Sequence, residues 1–179
     1  TGNAARGADA AAHASYLKGD AAANALVSWH YTVDDHAIVQ HLPDTETAYH
    51  AGDGAKGPGN TKSIGIELCV DAGGDFEKAK ENAAALVRLL MAEHSIPLER
   101  VVQHHHWNGK DCPWNIRNTP GSWDAFLDLC EGEEPPVSNL DTDVEVLAQA
   151  GIVTSPDYWK AGSGYADANV VCLIHAMAE

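Results

Sequence analysis

Residues 27–33 alternate between apolar and polar side chains, which is the two-residue period of a β-strand. Asp34 and Asp35 follow directly and favour a turn. After them, residues 37–42 have the composition of a returning strand. These features together predict an antiparallel hairpin.

Residues 63–70 alternate in the same way. Ile66 and Leu68 fall on one side of this predicted strand, and Glu67 falls on the other. One face therefore meets the core, while the opposite face carries a single acid.

Helical periods appear on both sides of these strands. Residues 76–94 repeat apolar positions at helical spacing and predict an amphipathic helix, while residues 8–18 and 122–130 predict two further helices. Between them, residues 101–104 predict a short strand. The order of elements indicates an α/β fold with a mixed central β-sheet flanked by helices.

Composition divides the chain into three parts. Residues 1–130 form the predicted main domain, the acidic, proline-containing residues 131–140 a linker, and residues 141–179 a small helical C-terminal module. Within the main domain, the glycine-rich residues 51–63 predict a mobile loop at the rim of a site.

The charge and apolar content exclude several classes of function. The 26 acidic residues against 11 basic ones give a net charge of −15, and no basic stripe that could bind nucleic acid is visible. No apolar run is long enough for a membrane span. The four cysteines lie far apart, so no disulfide framework is predicted. We expect a monomer with reduced thiols.

Residues 104–113, HHHWNGKDCP, concentrate imidazole and thiol groups in one short segment. Zinc binds nitrogen and sulfur ligands, and the Asn108-Gly109 pair would let His104 and Cys112 fold back onto one ion. The alternative is that the histidines line a polar surface and Cys112 is a small buried residue. Spacing alone leaves both interpretations open.

Four segments in order, WHYTVDD, AYHAGDG, SIGIE and the HxHWNGKDCP pattern, make the chain resemble a known family. They are similar to the zinc-dependent N-acetylmuramoyl-L-alanine amidases of phage endolysins and bacillus-type autolysins, relatives of the peptidoglycan recognition proteins. The resemblance covers residues 1–130.

The resemblance implies roles for particular residues. His104 and Cys112 match zinc ligands, Glu67 matches the catalytic carboxylate, and Lys110 matches a lysine beside the reacting carbonyl. The family has a third ligand, a histidine just before a segment like Thr1-Gly2-Asn3, so this ligand is expected upstream of Thr1. Taken without the family, Glu67 could be an exposed strand acid and Lys110 a solvated loop charge.

We assign His50, Trp29 and His30 to the substrate groove. Trp29 shares its side of the strand with Val27, so a position in the core is the alternative. For His30 the alternatives are a structural imidazole bonded to backbone or a substitute metal ligand.

The implied reaction is hydrolysis of the amide between N-acetylmuramic acid and L-alanine in bacterial peptidoglycan. Zinc would activate water, Glu67 would transfer the proton, and Lys110 would stabilise the oxyanion. One alternative is a peptidoglycan-binding module without metal. A second is a cell-wall peptidase in which Cys112 is the nucleophile. The expected place of action is the cell wall, reached from the cytoplasm through a holin-type hole or by secretion.

Overall fold

The computed structural model describes residues 1–132, which coincide with the compact unit Thr1–Gly132. Contacts divide the chain between this unit and a second one, Glu133–Glu179. The predicted C-terminal module and nearly all of the predicted linker lie outside the described residues, so both remain predictions.

A three-stranded sheet forms the centre of the described unit. Its strands are β1 (Tyr31–Val33), β2 (Ile38–Gln40) and β3 (Ile66–Leu68), in the spatial order β2-β1-β3. β1 pairs antiparallel with β2 and parallel with β3. The predicted hairpin and mixed sheet are therefore confirmed, although β1 is shorter than the alternating segment 27–33.

The parallel register decides which side chains share a face. Thr32 lies opposite Glu67, and Tyr31 lies opposite Ile66. Because successive strand residues point to opposite faces, Glu67 and Thr32 lie on one side of the sheet and Tyr31 and Ile66 on the other. The predicted placement of Glu67 away from the core face is confirmed.

Seven α-helices and one 3₁₀ turn surround the sheet in the described residues. They are α1 (Ala10–Leu17), α2 (Asp20–Ala25), α3 (Pro58–Lys62), α4 (Phe76–His94), the 3₁₀ turn (Leu98–Arg100), α5 (His105–Asn108), α6 (Trp114–Arg117) and α7 (Ser122–Glu131).

The long helix α4 covers the apolar face of the sheet. It begins where the Asp75 carboxylate accepts hydrogen bonds from two backbone N–H groups, and it ends at Ser95, which has a left-handed backbone. Its apolar stripe packs against Tyr31 and Val33 and against α7. The buried core comprises Tyr31, Val33, Ala83, Ala84, Leu86, Val87, Leu90, Phe126 and Cys130.

Two sequence predictions are wrong. Residues 101–104 do not form a strand, because they make no ladder bonds to the sheet and the backbone has already turned helical at His104. The predicted mobile loop 51–63 instead contains α3 and is closed by side-chain hydrogen bonds described below.

The described cysteines, Cys69, Cys112 and Cys130, are free thiols, as predicted for them, while Cys172 lies outside the described residues. Within residues 1–132, no helix has both the length and the apolar content that a membrane crossing requires.

Candidate metal centre and active site

The segment from His104 to Cys112 is a closed turn. The backbone N–H of His105 donates to the carbonyl of Cys112 at 3.1 Å. Gly109, at φ 76°, ends the one-turn helix α5 in a left-handed conformation that glycine adopts without strain. This closure returns Cys112 to the start of the segment, beside the residue that follows His104.

Asn108 holds this turn to the neighbouring loop. Its Nδ2 donates to the carbonyl of Ala51 at 3.0 Å and lies 3.2 Å from His104 Nε2, while its Oδ1 accepts from the backbone N–H of Lys110 at 2.9 Å. Sequence reasoning treated Asn108 only as part of a flexible Asn-Gly pair. Its positioning role depends on contact with a residue 57 positions away, which no local signal reveals.

The electrostatics of the two proposed ligands differ. Burial lowers the pKa of His104, which favours the neutral imidazole that can bind a metal. Burial raises the pKa of the Cys112 thiol, and the nearby Glu67 carboxylate raises it further. Without a cation, Cys112 is therefore a protonated thiol and a weak nucleophile.

Glu67 faces this same group of side chains. Its charge raises the pKa values of His50, His104 and Cys112, which indicates that the carboxylate lies near all three. The side chain is 29% exposed.

Lys110 places a positive charge near the two proposed zinc ligands. Its charge lowers the pKa values of both His104 and Cys112. The residue itself is exposed, and its hydrogen bonds are made by its backbone, from the N–H to Asn108 and to the carbonyl from the Cys112 N–H. The ammonium group is therefore free to move towards a bound molecule.

Two histidines of the site have a buried ring nitrogen without a hydrogen-bond partner among the described residues, His50 at Nε2 and His105 at Nδ1. Burial lowers the pKa of His50, followed by the repulsion of His30, while a hydrogen bond to the Ser63 backbone acts in the opposite direction. A buried nitrogen without a partner costs free energy, which a bound ligand could recover.

The loop carrying His50 is rigidly built. Asn60 Oδ1 accepts from the backbone N–H groups of both His50 and Ala51 at 2.8 Å. Asp53 in turn accepts from the N–H groups of Gly59 at 2.7 Å and Asn60 at 3.2 Å. These two buried or half-buried side chains fix the start of the loop against α3.

His30 requires a correction. Its side chain is fully buried, Nδ1 accepts from the Gly65 N–H at 2.9 Å, and Nε2 lies 3.1 Å from the Glu46 carbonyl. With both nitrogens bonded to backbone, the ring has none to offer a substrate or a metal. The structure gives His30 a structural role. The centroid of its ring lies 5.7 Å from the centroid of the His50 ring.

Trp29 is mostly buried. Its Nε1 donates to Thr32 Oγ1 at 2.7 Å, and its ring stacks on Tyr16 at 6.2 Å. Trp29 and Glu67 both line a cavity of about 320 Å³. Its assignment to substrate binding stays a prediction.

The residues present fit part of a zinc site. An imidazole and a thiol approach from one turn, and an unpartnered imidazole nitrogen and a carboxylate lie close by. Within residues 1–132, three metal-binding side chains with closely spaced ligand atoms occur elsewhere, at Asp44, Glu93 and His94.

Comparison with known proteins gives consistent results. A family profile described as N-acetylmuramoyl-L-alanine amidase matches residues 1–115. The N-acetylmuramoyl-L-alanine amidase CwlH of Bacillus subtilis is 52% identical over 179 residues, covering 99% of this chain and 66% of CwlH. The amidase XlyA of the same organism is 55% identical over 126 residues, covering 70% of this chain and 40% of XlyA.

Solved structures agree. The catalytic domain of XlyA superposes with a TM-score of 0.67 at 52% identity, covering 73% of this chain and 80% of that domain. PlyL superposes with a TM-score of 0.63 at 34% identity, covering 72% of this chain and 80% of PlyL. This chain thus spans less than two thirds of the length of XlyA and about two thirds of CwlH.

Proposed function

We propose, from the premise that this chain belongs to the N-acetylmuramoyl-L-alanine amidase family, that it hydrolyses the amide bond between N-acetylmuramic acid and L-alanine in peptidoglycan. The observation that supports the proposal is that the Glu67 carboxylate lies near enough to His104 and Cys112 to raise the pKa of both. An imidazole, a thiol and a carboxylate arranged in this way suit metal-assisted amide hydrolysis.

His104 and Cys112 are the residues that would hold a zinc ion. The neutral state of His104 leaves its electron pair available, and a cation would convert the Cys112 thiol into the thiolate that zinc binds. When bound, zinc supplies Lewis acidity, which lowers the pKa of water and polarises a carbonyl. Zinc at His104 Nε2 would replace the contact from Asn108 Nδ2, while the bond from Asn108 to the Ala51 carbonyl would keep the turn anchored.

Glu67 is the proposed general acid–base. Its carboxylate would accept the proton of the attacking water and then deliver it to the amide nitrogen as the peptide leaves. Lys110, whose ammonium group is exposed beside His104 and Cys112, would stabilise the negative charge that develops on the carbonyl oxygen.

His50 would contact the substrate. Its buried Nε2 lies on the same side of the sheet as Glu67 and has no partner among residues 1–132. A hydrogen bond from an amide N–H of the substrate would satisfy it. Because Asn60 holds the backbone of His50 in place, this contact would help to orient the scissile bond.

A cysteine-peptidase mechanism is less well supported. Nucleophilic cysteines depend on a lowered pKa, whereas burial and Glu67 raise the pKa of Cys112. Lys110 lowers the pKa of Cys112, but burial and Glu67 raise it by more. The thiol therefore stays protonated when no cation is bound.

The test is to add the protein, as its gene encodes it, to purified cell-wall sacculi with and without zinc. We expect zinc-dependent release of peptides that a chelator abolishes. Glu67→Gln should reduce the rate roughly 100-fold or more while zinc content is unchanged. Glu81→Gln, at an exposed acid of α4, is the matched control and should behave like the parent.

Two results would contradict the proposal. Full activity of Glu67→Gln would remove the proposed proton carrier. Binding to sacculi without hydrolysis at full zinc occupancy would instead indicate a recognition module.

The same proposal includes the place of action. Because the substrate is peptidoglycan, the protein would act at the cell wall, and it would leave the cytoplasm by a holin-type route or by secretion.

A further inference from the structure

Three side chains that can bind metal meet at the C-terminal end of α4. They are Asp44, which follows β2, and the consecutive helix residues Glu93 and His94, and their ligand atoms all lie within 4.8 Å of one another. Asp44 Oδ2 lies 2.7 Å from His94 Nε2, across a separation of 50 residues. The fold, and not the local sequence, therefore creates this group.

The orientation of Asp44 is fixed by residues outside the group. Its other oxygen, Oδ1, accepts from the Tyr31 hydroxyl at 2.6 Å and from Gln40 Nε2 at 3.2 Å. Gln40 Nε2 also donates to the Tyr31 hydroxyl at 2.8 Å. Hydrogen bonds of this kind orient metal-binding carboxylates in known sites, and here they leave Oδ2 directed at His94.

Tyr31 donates to Asp44 in this arrangement and accepts from Gln40. Burial raises its pKa well above the usual value, and the hydrogen bond to Asp44 and the charge of Asp44 raise it further. The phenol thus remains protonated and keeps its hydrogen on Asp44 Oδ1. Because Tyr31 belongs to the buried core, the carboxylate is tied to the most stable part of the fold.

This group is separate from the site that contains Glu67. Tyr31 pairs with Ile66 in the parallel register and shares its face of the sheet, whereas Glu67 lies on the opposite face with Thr32. Ligands of one group therefore cannot serve the other.

We propose that Asp44, Glu93 and His94 bind one divalent transition-metal ion, with water completing its coordination. Two carboxylates and one imidazole form a mixed oxygen and nitrogen set, which suits zinc among the biologically common ions. The ion would connect the segment after β2 to the end of α4. This site does not depend on the proposed amidase activity.

Metal binding would replace the hydrogen bond between His94 and Asp44. The 2.7 Å separation of Asp44 Oδ2 and His94 Nε2 requires a hydrogen between these two atoms. A metal ion needs the Nε2 electron pair, so this proton must move to Nδ1 or leave the protein. Since the hydrogen bond already joins the two segments, metal binding should add stability to a structure that is formed without it.

The experiment uses the full chain carrying His104→Ala and Cys112→Ser, which removes the other proposed ligands. Zinc chloride is titrated in by calorimetry, and thermal unfolding is followed with and without zinc. We expect one bound zinc and a higher Tm with zinc. Both effects should be lost in His94→Gln and in Asp44→Asn, and Tyr31→Phe should weaken binding roughly tenfold.

His36→Gln is the matched control. His36 Nε2 also lies near a carboxylate, Asp35 Oδ2 at 3.4 Å, but His36 belongs to no group of three metal-binding side chains within the described residues. This variant should bind zinc like its parent.

Absence of the zinc-dependent rise in Tm would overturn the proposal, as would equal binding by His94→Gln. Equal losses in His36→Gln and His94→Gln would show scattered binding to surface histidines and would also overturn it. His94 is at the surface, so its replacement should leave the fold intact. Because His104 and Cys112 are already replaced, failure here says nothing about the amidase proposal.

Discussion

The imidazole ring of His50 lies directly against the backbone of Gly65. A Cβ atom built on Gly65 would be 2.5 Å from His50 Cγ, a distance at which one of the two residues has to move. Gly65 lies two positions before Glu67, and its carbonyl accepts hydrogen bonds from the N–H groups of His30 and Tyr31 at 3.0 Å. The missing side chain thus sets how closely His50 approaches the proposed catalytic acid.

Replacing Gly65 with alanine should therefore damage both stability and activity. The added methyl group overfills a buried position, which typically costs about 1 to 3 kcal/mol of unfolding free energy. Denaturant titration measures this loss, and peptide release from sacculi measures the effect of moving His50. Gly73→Ala is the control, because its Cβ would meet only ordinary contacts, the nearest at 3.5 Å. Equal behaviour of the two variants would contradict the proposed packing.

Asn108→Ala should weaken the metal centre without unfolding the domain. The variant loses the bond to the Ala51 carbonyl and the bond from the Lys110 N–H, so the turn that carries both proposed ligands is less well anchored to the neighbouring loop. We expect zinc affinity to fall roughly tenfold or more. Competition with a chromogenic chelator measures this affinity. Asn115→Ala, at an exposed asparagine of α6, should leave it unchanged.

Asp34→Ala should be strongly destabilising. The buried carboxylate accepts hydrogen bonds from the backbone N–H groups of Ala10 at 2.8 Å, His36 at 2.7 Å and Ala37 at 2.6 Å, so it joins α1 to the hairpin turn. Leaving these donors without an acceptor should cost about 2 to 4 kcal/mol. Urea denaturation tests this value. The control Asp128→Ala, on the exposed side of α7, should change stability little.

Stability should fall as the solution becomes more acidic than about pH 6.5, partly because of His41. Burial lowers the pKa of this imidazole from 6.5, followed by repulsion from His13 and Lys18. Below pH 6.5 the unfolded chain binds a proton that the folded chain resists, so protonation favours unfolding. The contribution is complete above pH 6.5 and is lost between 6.5 and the lowered pKa.

His41→Gln should reduce this dependence. Urea unfolding at pH 7.5 and at pH 5.5 should show a smaller loss of stability for the variant than for its parent. The exposed His36 serves as the control, and His36→Gln should retain the parental slope. An unchanged slope in His41→Gln would show that other groups determine the pH dependence.

Local periodicity was sufficient for the elements that bury one face. α4 spans Phe76–His94 as its apolar stripe predicts, and Glu67 lies on the polar side of β3 because the two-residue period leaves no other choice. The strand predicted for residues 101–104 was wrong for a different reason. Its apolar residues look like a strand, but whether a short segment joins a sheet depends on a partner that the local sequence does not specify.

The site was predictable where ligands are close in sequence and hidden where they are not. His104 and Cys112 belong to one turn, so the segment itself offered a metal site as one of two interpretations. The support from Asn108 and Asn60, and the unpartnered nitrogen of His50, depend on contacts between distant segments. His30 was misassigned for the same reason, since its two backbone partners come from outside its own strand.

The most direct test of the central claim is to identify the bond that is cut. Purified sacculi are digested with the zinc-loaded protein as its gene encodes it, and the products are analysed by mass spectrometry and by labelling of new amino and reducing groups. Hydrolysis by Glu67 at the metal centre predicts new L-alanine amino termini without new reducing ends, and a roughly 100-fold lower rate of their formation with Glu67→Gln. New reducing ends, amino termini of other residues, or unchanged digestion by Glu67→Gln would contradict it.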